Sequence, residues 1–231
     1  MTSKRAELDK AVAHMHEPWG GMHCLDFANT LEPRGGPPPL DLPEGFTFRD
    51  ELTSYVDLVA WSLHKEVFAR ERAEILLELA GNQKIEASRI LIRAHALRDA
   101  IYRACWSIAN RESPKVDDLE TIKLEYGDAT EHAVLLAHDT NVRWGWQEED
   151  VSLARPLWSV ARSAIDLLTA GDPARIKVCP GPGRPPVSCG WLFYDISKNG
   201  SRRWCSMSDC GSVTKANRQT ARRRADRKHP S

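Results

Sequence analysis

Apolar residues recur at steps of three or four through much of residues 1–170, which is the spacing of one face of an α-helix. The segment 50–80 shows this spacing over two successive stretches. The clearest stripe comprises Ile90, Ala94, Leu97, Ile101, Cys105 and Ile108. A further stripe predicts a helix that starts at Pro156, a residue suited to the first helical position, and ends at Gly171. The first 170 residues are therefore predicted to be mainly α-helical.

Other stretches depart from the helical period. Asp117, with a glutamate three residues later, resembles a capping box and predicts a short helix that stops near Gly127. Residues 133–147 combine β-prone residues, an Asp-Thr-Asn turn and alternating Val and Trp, which predicts a β-hairpin. Pro and Gly dominate residues 32–45 and 180–188, so both are predicted to be surface loops.

The charge is distributed unevenly, although the formal total is zero. Residues 1–170 carry 19 Lys and Arg against 28 Asp and Glu, a net of −9, whereas residues 171–231 carry 13 against 4, a net of +9. A strongly basic segment favours a polyanionic partner, of which nucleic acid is the commonest. There is no apolar run of 18 residues and no hydrophobic leader, so we expect no membrane span and predict a cytoplasmic protein.

Four of the six cysteines are separated by nine, fifteen and four residues: Cys179, Cys189, Cys205 and Cys210. In a reducing compartment such a cluster is more typical of a metal site than of disulfides. Four thiolates suit tetrahedral Zn²⁺, and a Cys₄ site without an open position is structural. Free buried thiols and two disulfides are the alternatives. Because the segment has few apolar residues, its folding is predicted to depend on the metal.

The surroundings of the cysteines fit this interpretation. Short strands are predicted at residues 175–179 and 191–194, leading into and out of the cysteine knuckles. Nine residues between the first two cysteines exceed the usual two to four, but this insert is Pro/Gly-rich loop sequence that can bulge away from the metal.

The stretch "CGWLFYDISKNGSRRWCSMSDCG", residues 189–211, resembles the zinc finger of the CGNR family. Upstream, "MHCLDFANTL", "YVDLVAW", "ALRDAI" and "SVARSAIDLL" resemble the ABATE domain that precedes this finger in the same family. The resemblance implies a stress-linked transcription regulator whose finger touches DNA. The chain departs from the family in its long first knuckle and in Ser212-Val213, which replace the signature Asn-Arg. If that Arg contacts phosphate, the contact is lost here, although Ser212 can still N-cap the following helix.

The C-terminal tail carries seven basic residues within fourteen positions: Lys215, Arg218, Arg222, Arg223, Arg224, Arg227 and Lys228. Its composition favours a helix, but this helix has no apolar stripe and its positive charges repel one another. A bound polyanion would reduce that repulsion. Together with Arg202 and Arg203, the tail is predicted to contact the DNA backbone. Two alternatives stand beside this prediction: the tail is a solvated, disordered terminus, or the paired arginines neutralise the negative zinc centre.

A small-molecule site is a weaker prediction. Asp26, Asn29 and Thr30 fall within one helical turn and would form a corner for an effector ligand, but we favour their bonding to backbone groups instead. Trp61, Trp144 and Trp146 would line a pocket, although core packing is the more typical role of such residues.

No enzymatic motif is present. The histidines form no H-E-x-x-H pattern, and there is no G-x-S-x-G, Walker or dinucleotide-binding motif, so the protein is not predicted to be an enzyme. His23 beside Cys24 would make a reactive thiol, but Cys24 and Cys105 are better interpreted as small buried hydrophobes.

These observations predict a mainly α-helical protein with one small β-hairpin and a Cys₄ zinc finger. An effector or sensor domain spans residues 1–171, the finger spans 172–214 and a basic tail spans 215–231. The predicted function is DNA-binding transcriptional regulation; the alternatives are a protein-interaction adaptor with a purely structural finger and a small-molecule-binding protein or enzyme. A homodimer would improve DNA specificity, although no heptad repeat indicates one.

Overall fold

The computed structural model describes residues 2–36, 44–147, 151–182 and 188–228, without the side chains of residues 2–4, 138 and 222–228. The described residues form eight α-helices: α1 Thr2–Val12, α2 His23–Ala28, α3 Tyr55–His64, α4 Arg70–Asn82, α5 Lys84–Ala109, α6 Val116–Glu131, α7 Arg155–Ala170 and α8 Ser212–Lys228. The strands pair as antiparallel ribbons: β1 Leu31–Glu32 with β2 Arg49–Asp50, β3 Ala133–His138 with β4 Asn141–Trp146, and β5 Ile176–Val178 with β6 Leu192–Tyr194. The mainly α-helical fold class is confirmed.

The long helix α5 lies at the centre of the core and contacts α2, α3, α4, α6 and α7. The stripe predicted from its sequence is buried from Ile90 to Cys105. Helix α7 begins one residue before Pro156 and buries its apolar face, including the fully buried Trp158. The spacing of apolar residues therefore predicts both the helices and the sides that they bury.

Helix α6 differs from its prediction. It continues through Gly127 to Glu131, and Asp117 lies inside its first turn without capping it. A glycine inside a helix costs only about 1 kcal/mol, and α6 is held beyond it. After the glycine, Asp128 pairs with Arg93 of α5 at 3.1 Å and accepts from the Trp158 indole nitrogen at 3.0 Å, and the buried Ala129 packs into the core. Tertiary packing thus outweighs the local stop signal.

The predicted hairpin is confirmed as β3 and β4, paired from Ala133 opposite Trp146 to His138 opposite Asn141. Trp146 packs near Trp158, and its indole nitrogen donates to the Ala129 carbonyl at 3.3 Å. The hairpin therefore lies against α6 and α7.

The β5–β6 ribbon belongs to two cores at once. Ile176 and Leu192 are buried in the helical core, and Val178 and Tyr194 pack against it. Phe193, between Leu192 and Tyr194, is buried instead among the cysteines. This division follows from the alternation of side chains along a strand. The domain boundary predicted at residue 171 falls just before this ribbon and stays a prediction.

Hydrogen bonds to the backbone of the ribbon and of the residues beside it hold the ribbon against the helical part. The Asn29 side chain donates to the Leu192 carbonyl and accepts from the Leu192 amide, both at 2.9 Å. The Tyr194 amide donates to the Gly20 carbonyl at 2.7 Å, and the Tyr102 hydroxyl donates to the Gly190 carbonyl at 2.8 Å. The helical part therefore supplies hydrogen bonds along the whole of β6.

The loop predicted over residues 32–45 is not a surface loop at its start, which corrects that prediction. Arg34 is buried, and its amide donates to the Cys189 carbonyl at 2.9 Å. Gly190 has a φ of +66°, and a Cβ there would lie 2.4 Å from the Gly35 amide nitrogen, so the two backbones touch. Residues 37–43 and 183–187 lie outside the described residues, as does that part of each loop prediction.

The double hydrogen bond of Asn29 gives a stability prediction. Changing Asn29→Ala leaves the Leu192 amide and carbonyl buried without partners, which we expect to cost about 2–4 kcal/mol of unfolding free energy. Urea unfolding of the zinc-loaded protein measures this. The control, Asn110→Ala, removes a side chain whose hydrogen bond is exposed, and it is expected to change stability by about 0.5 kcal/mol or less. Equal stability of the two variants would contradict this role of Asn29.

Candidate metal centre and basic helix

The four predicted cysteines meet at one point. The sulfur atoms of Cys179, Cys189, Cys205 and Cys210 all lie within 4.8 Å of one another. The Cys189 and Cys205 sulfurs are 3.8 Å apart, and those of Cys205 and Cys210 are 3.7 Å apart. A tetrahedral site with Zn–S distances of about 2.3 Å separates its sulfurs by about 3.8 Å. The donor set and its spacing therefore fit a structural Zn²⁺ held by four thiolates.

The first knuckle is built on the end of the ribbon. The Cys179 amide donates to the Trp191 carbonyl at 2.8 Å, and the Gly190 amide donates to the Cys179 carbonyl at 3.1 Å. The Gly181 amide points at the Cys179 sulfur at 3.4 Å. Gly181 has a φ of +67°, and a Cβ there would lie 2.7 Å from the Cys189 amide nitrogen. The ribbon thus holds the two cysteines together despite their long separation in sequence.

The second knuckle runs directly into the basic helix. Cys210 lies in a single π-helical turn, Met207–Gly211, which continues into α8. The cap of this turn is Ser206, whose hydroxyl accepts from the Asp209 amide at 3.2 Å. Ser212 is therefore not the N-cap that the sequence predicted. It lies inside the continuous helical segment, and its hydroxyl donates to the Ser208 carbonyl at 2.7 Å.

A buried carboxylate organises the connection between the knuckles. Asp195 is fully buried and accepts from the Lys177 ammonium at 2.6 Å and from the amides of Ser197 and Arg202, both at 2.9 Å. Burial opposes ionisation of this carboxyl, but these hydrogen bonds outweigh it and hold its pKa below the ordinary value. Asp195 therefore stays ionised and fixes the path of the chain toward Cys205.

The paired arginines differ in their surroundings. The Arg202 guanidinium donates to the carbonyls of Trp19, Trp204 and Cys205 and lies 4.6 Å from the centre of the Phe193 ring. Arg203 is exposed, 5.5 Å from the centre of the Trp204 ring. Arg202 is thus bound within the finger, beside the metal centre, whereas Arg203 is free to meet a partner.

The basic tail is helical up to Lys228, as its composition predicts. Its first turns are held at the knuckles, because the Thr214 hydroxyl donates to the Cys210 carbonyl at 2.7 Å and lies 3.4 Å from the Gly181 carbonyl, and Asn217 donates to the Pro182 carbonyl at 3.3 Å. Lys215 and Arg218 are exposed. Arg222, Arg223 and Arg224 continue along α8, and their side chains lie outside the described ones. The spacing of residues 215, 218 and 222 places them on one helix face.

The predicted ligand corner is occupied by structural contacts. Asp26 accepts from the Gly20 amide at 2.7 Å and from the Lys65 ammonium at 2.6 Å. Thr30 donates to the Phe27 carbonyl at 2.9 Å, and Asn29 binds Leu192 as described above. The cavity beside Asp26 and Asn29 measures about 10 Å³, which is about the space of one water molecule. The effector corner stays a prediction, and the contacts favour the structural alternative.

His23 and Cys24 do not make an activated thiol. Burial raises the pKa of Cys24 to about 12 and lowers the pKa of His23 to about 4. The histidine ring is instead hydrogen-bonded to Ser159 at 3.1 Å. Cys24 and Cys105 are both buried in the helical core, as predicted for small hydrophobes.

A histidine that the sequence analysis did not single out supports the finger. His16 lies between the carboxylates of Glu32 and Glu51 and meets the Trp191 ring edge-on, with ring centres 5.2 Å apart. Hydrogen bonds to Glu32 and Glu51 raise the pKa of His16 to about 9 against the effect of burial. The imidazole is therefore charged at neutral pH and joins the N-terminal segment to Trp191, the residue before β6. No spacing in the sequence indicates this contact.

A helical domain whose core holds the ribbon of a Cys₄ site defines a zinc-finger protein. Residues 21–171 match the ABATE family, described as "Putative stress-induced transcription regulator", and residues 175–223 match the CGNR zinc finger. The first match covers more than half of the chain, so the chain belongs to the ABATE family. Among curated proteins no match was found. In the part of the chain that the structure describes, no helix has the length and apolar character needed to cross a membrane.

The geometry predicts how the protein responds to loss of metal. Cys205→Ser, or removal of zinc by a chelator, should abolish metal binding and unfold the knuckles, because zinc supplies most of the free energy of such small sites. The helical core should survive, since it is formed mainly by α2 to α7. Metal content and far-ultraviolet circular dichroism measure the two effects.

The matched control for this experiment is Cys105→Ala, which removes a buried thiol remote from the metal cluster and should leave one zinc bound per chain. Full zinc retention by Cys205→Ser would contradict the assignment of the four ligands.

Proposed function

We propose that this protein is a DNA-binding transcriptional regulator in which zinc orders the finger and α8 grips the DNA backbone. The observation that carries the proposal is the fixed position of a basic helix. Exposed Lys215 and Arg218 project from a helix whose first turns are hydrogen-bonded to the metal knuckle. Metal binding therefore gives a basic segment, whose charges repel one another, a fixed orientation. The net charge of +9 over residues 171–231 favours the binding of a polyanion to this cationic surface.

Not all of the arginines take the same part in this proposal. Three of the proposed DNA contacts have described, exposed side chains: Arg203 in the finger, and Lys215 and Arg218 in α8. Further proposed contacts follow along α8: Arg222, Arg223 and Arg224. Arg202 acts as a positioning residue, because its guanidinium donates hydrogen bonds to the carbonyls of Trp204 and Trp19. Backbone contacts of this kind bind with little sequence preference. Ser212-Val213 in place of Asn-Arg removes one cation from this surface, so the remaining contacts carry the binding.

The N-terminal domain is proposed to be the sensor. Its core contains Ile176 and Leu192 of the finger ribbon, so any small molecule or partner that shifts α2 also shifts β6. A homodimer would supply the sequence specificity that a single set of backbone contacts lacks. The proposed setting is the cytoplasm during a stress response, where the four thiols remain reduced and able to bind zinc.

Duplex DNA binding by fluorescence anisotropy tests the proposal. The zinc-loaded protein should bind with an affinity that falls steeply as salt rises. The double variant Lys215→Gln with Arg218→Gln should bind about tenfold or more weakly near 0.1 M salt, with a log–log salt slope smaller by about two.

The control pair is Lys123→Gln with Arg89→Gln, which removes the same charges from exposed surface positions of α6 and α5. It should bind like the unmodified protein. Absence of any salt-dependent binding would reject the regulator as a direct DNA-binding protein and favour the adaptor alternative, in which the finger is purely structural.

A further inference from the structure

A large groove lies between the C-terminal end of α5 and the finger. It has a volume of about 1000 Å³, and its lining includes Ile108, Arg111, Pro180, Phe193 and Arg203. The floor is partly apolar, because Ile176 and Val178 of the ribbon also border it. The groove thus runs along the junction of the two sequence families and is formed by residues of both.

Cationic side chains enter the groove from its two sides. Arg111 comes from the helical domain and Arg203 from the finger, and both are exposed. Among the described residues neither arginine forms an ion pair. The other two cations of the lining are already engaged, Lys177 with Asp195 and Arg202 with backbone carbonyls. The acidic residue of the described lining is Glu112. The lining therefore carries a net positive formal charge, which favours an anionic occupant.

The groove lies next to the loop that contacts the basic helix. Pro180 belongs to the lining, and the next two residues, Gly181 and Pro182, offer the carbonyls that anchor Thr214 and Asn217 of α8. A polyanion bound along α8 would therefore pass close to the groove lining. The volume of about 1000 Å³ is more than a small anion needs, and the neighbouring basic helix favours a nucleic-acid strand as the occupant.

Arg111 also adopts an unfavourable backbone conformation. It follows the C-cap of α5 with a φ of +63°, a left-handed position that usually carries glycine. Its amide donates to the Ile108 carbonyl at 2.9 Å, so the turn itself is an ordinary helix ending. A large cationic side chain at such a position lowers stability, and no ion pair within the described structure offsets that cost.

We propose that this groove extends the nucleic-acid interface onto the helical domain, where Arg111 contacts a phosphate of the same strand that Arg203 of the finger contacts. The inference rests on the proposed function and extends it, because it places part of the DNA interface on the ABATE domain. The helical domain then meets the DNA directly, and a rearrangement of α5 alters DNA affinity at the point of contact.

The test compares variants of Arg111 in the full zinc-loaded protein, with salt-dependent anisotropy of a duplex probe. Arg111→Gln should weaken binding about three- to tenfold near 0.1 M salt and reduce the log–log slope by about one, while Arg111→Lys keeps most of the affinity. Arg89→Gln, which removes an exposed arginine near the opposite end of α5, should leave binding unchanged. Arg111→Gly should weaken DNA binding equally yet raise the melting temperature by about 2 °C, since glycine relieves the left-handed strain.

These experiments distinguish failure of the groove proposal from failure of the proposed function. Unchanged DNA binding by Arg111→Gln, together with weakened binding by the Lys215 and Arg218 double variant, overturns the groove proposal and leaves the proposed function intact. If Arg111→Gln loses binding of tripolyphosphate, measured by isothermal titration calorimetry, without any change in DNA binding, the groove proposal is also overturned and the groove is assigned to a small anion. If the unmodified protein binds no DNA, the proposed function fails, and the groove proposal fails with it.

Discussion

The structure depends on one two-stranded ribbon that is shared by two cores. Leu192 faces the helices and Phe193 faces the cysteines, because neighbouring side chains on a strand point to opposite sides. The strand pair is only three residues long on each side, which is too short to be stable alone. The helical core packs on one face of the ribbon and the metal centre on the other, and together they supply the stability that so short a strand pair lacks. The finger is therefore an extension of the helical core, and the metal centre gains a rigid base from it.

This arrangement explains how a small metal site can orient a long basic helix. The first knuckle is fixed by the ribbon, the connection to the second is fixed by Asp195, and α8 starts from the second while bonding to the first. Each of these contacts joins groups within the C-terminal third of the chain. The helical domain adds Asn29, Tyr102 and His16 from outside it. These contacts connect the helical domain, through the ribbon and the knuckles, to the helix proposed to bind DNA.

Much of the fold follows from patterns that are local in sequence. The helices α5 and α7 are predicted by their apolar stripes, the β3–β4 hairpin by its β-prone residues and turn, and the strands beside the cysteines by their composition. The four zinc ligands follow from residue type and spacing, since thiolate chemistry restricts what such a set binds. The nine-residue separation of the first pair is accommodated because the ribbon, and not the knuckle, brings those cysteines together.

The remaining features depend on contacts between distant segments and leave no periodic signal. Asn29 and Leu192 are 163 positions apart, and Arg202 is distinguished from its neighbour Arg203 by a bond to the carbonyl of the distant Trp19. Helix α6 passes its glycine because buried neighbours beyond it stabilise the extra turn. Arg34 and Gly36 at the start of the loop are buried, and Gly190 of the finger permits the close backbone contact beside them. Such outcomes are decided by packing, which sequence patterns of single elements do not contain.

The central claim is that the metal centre and the helical core stabilise each other through the shared ribbon. Hydrogen–deuterium exchange of the zinc-loaded and zinc-free protein measures this most directly. We expect zinc removal to expose the knuckles and also to speed exchange in α2, which holds β6 through Asn29 at its C-terminal end, while the centre of α5 stays protected. Exchange in α2 that is unchanged by zinc removal would contradict the shared ribbon and make the finger an independent module.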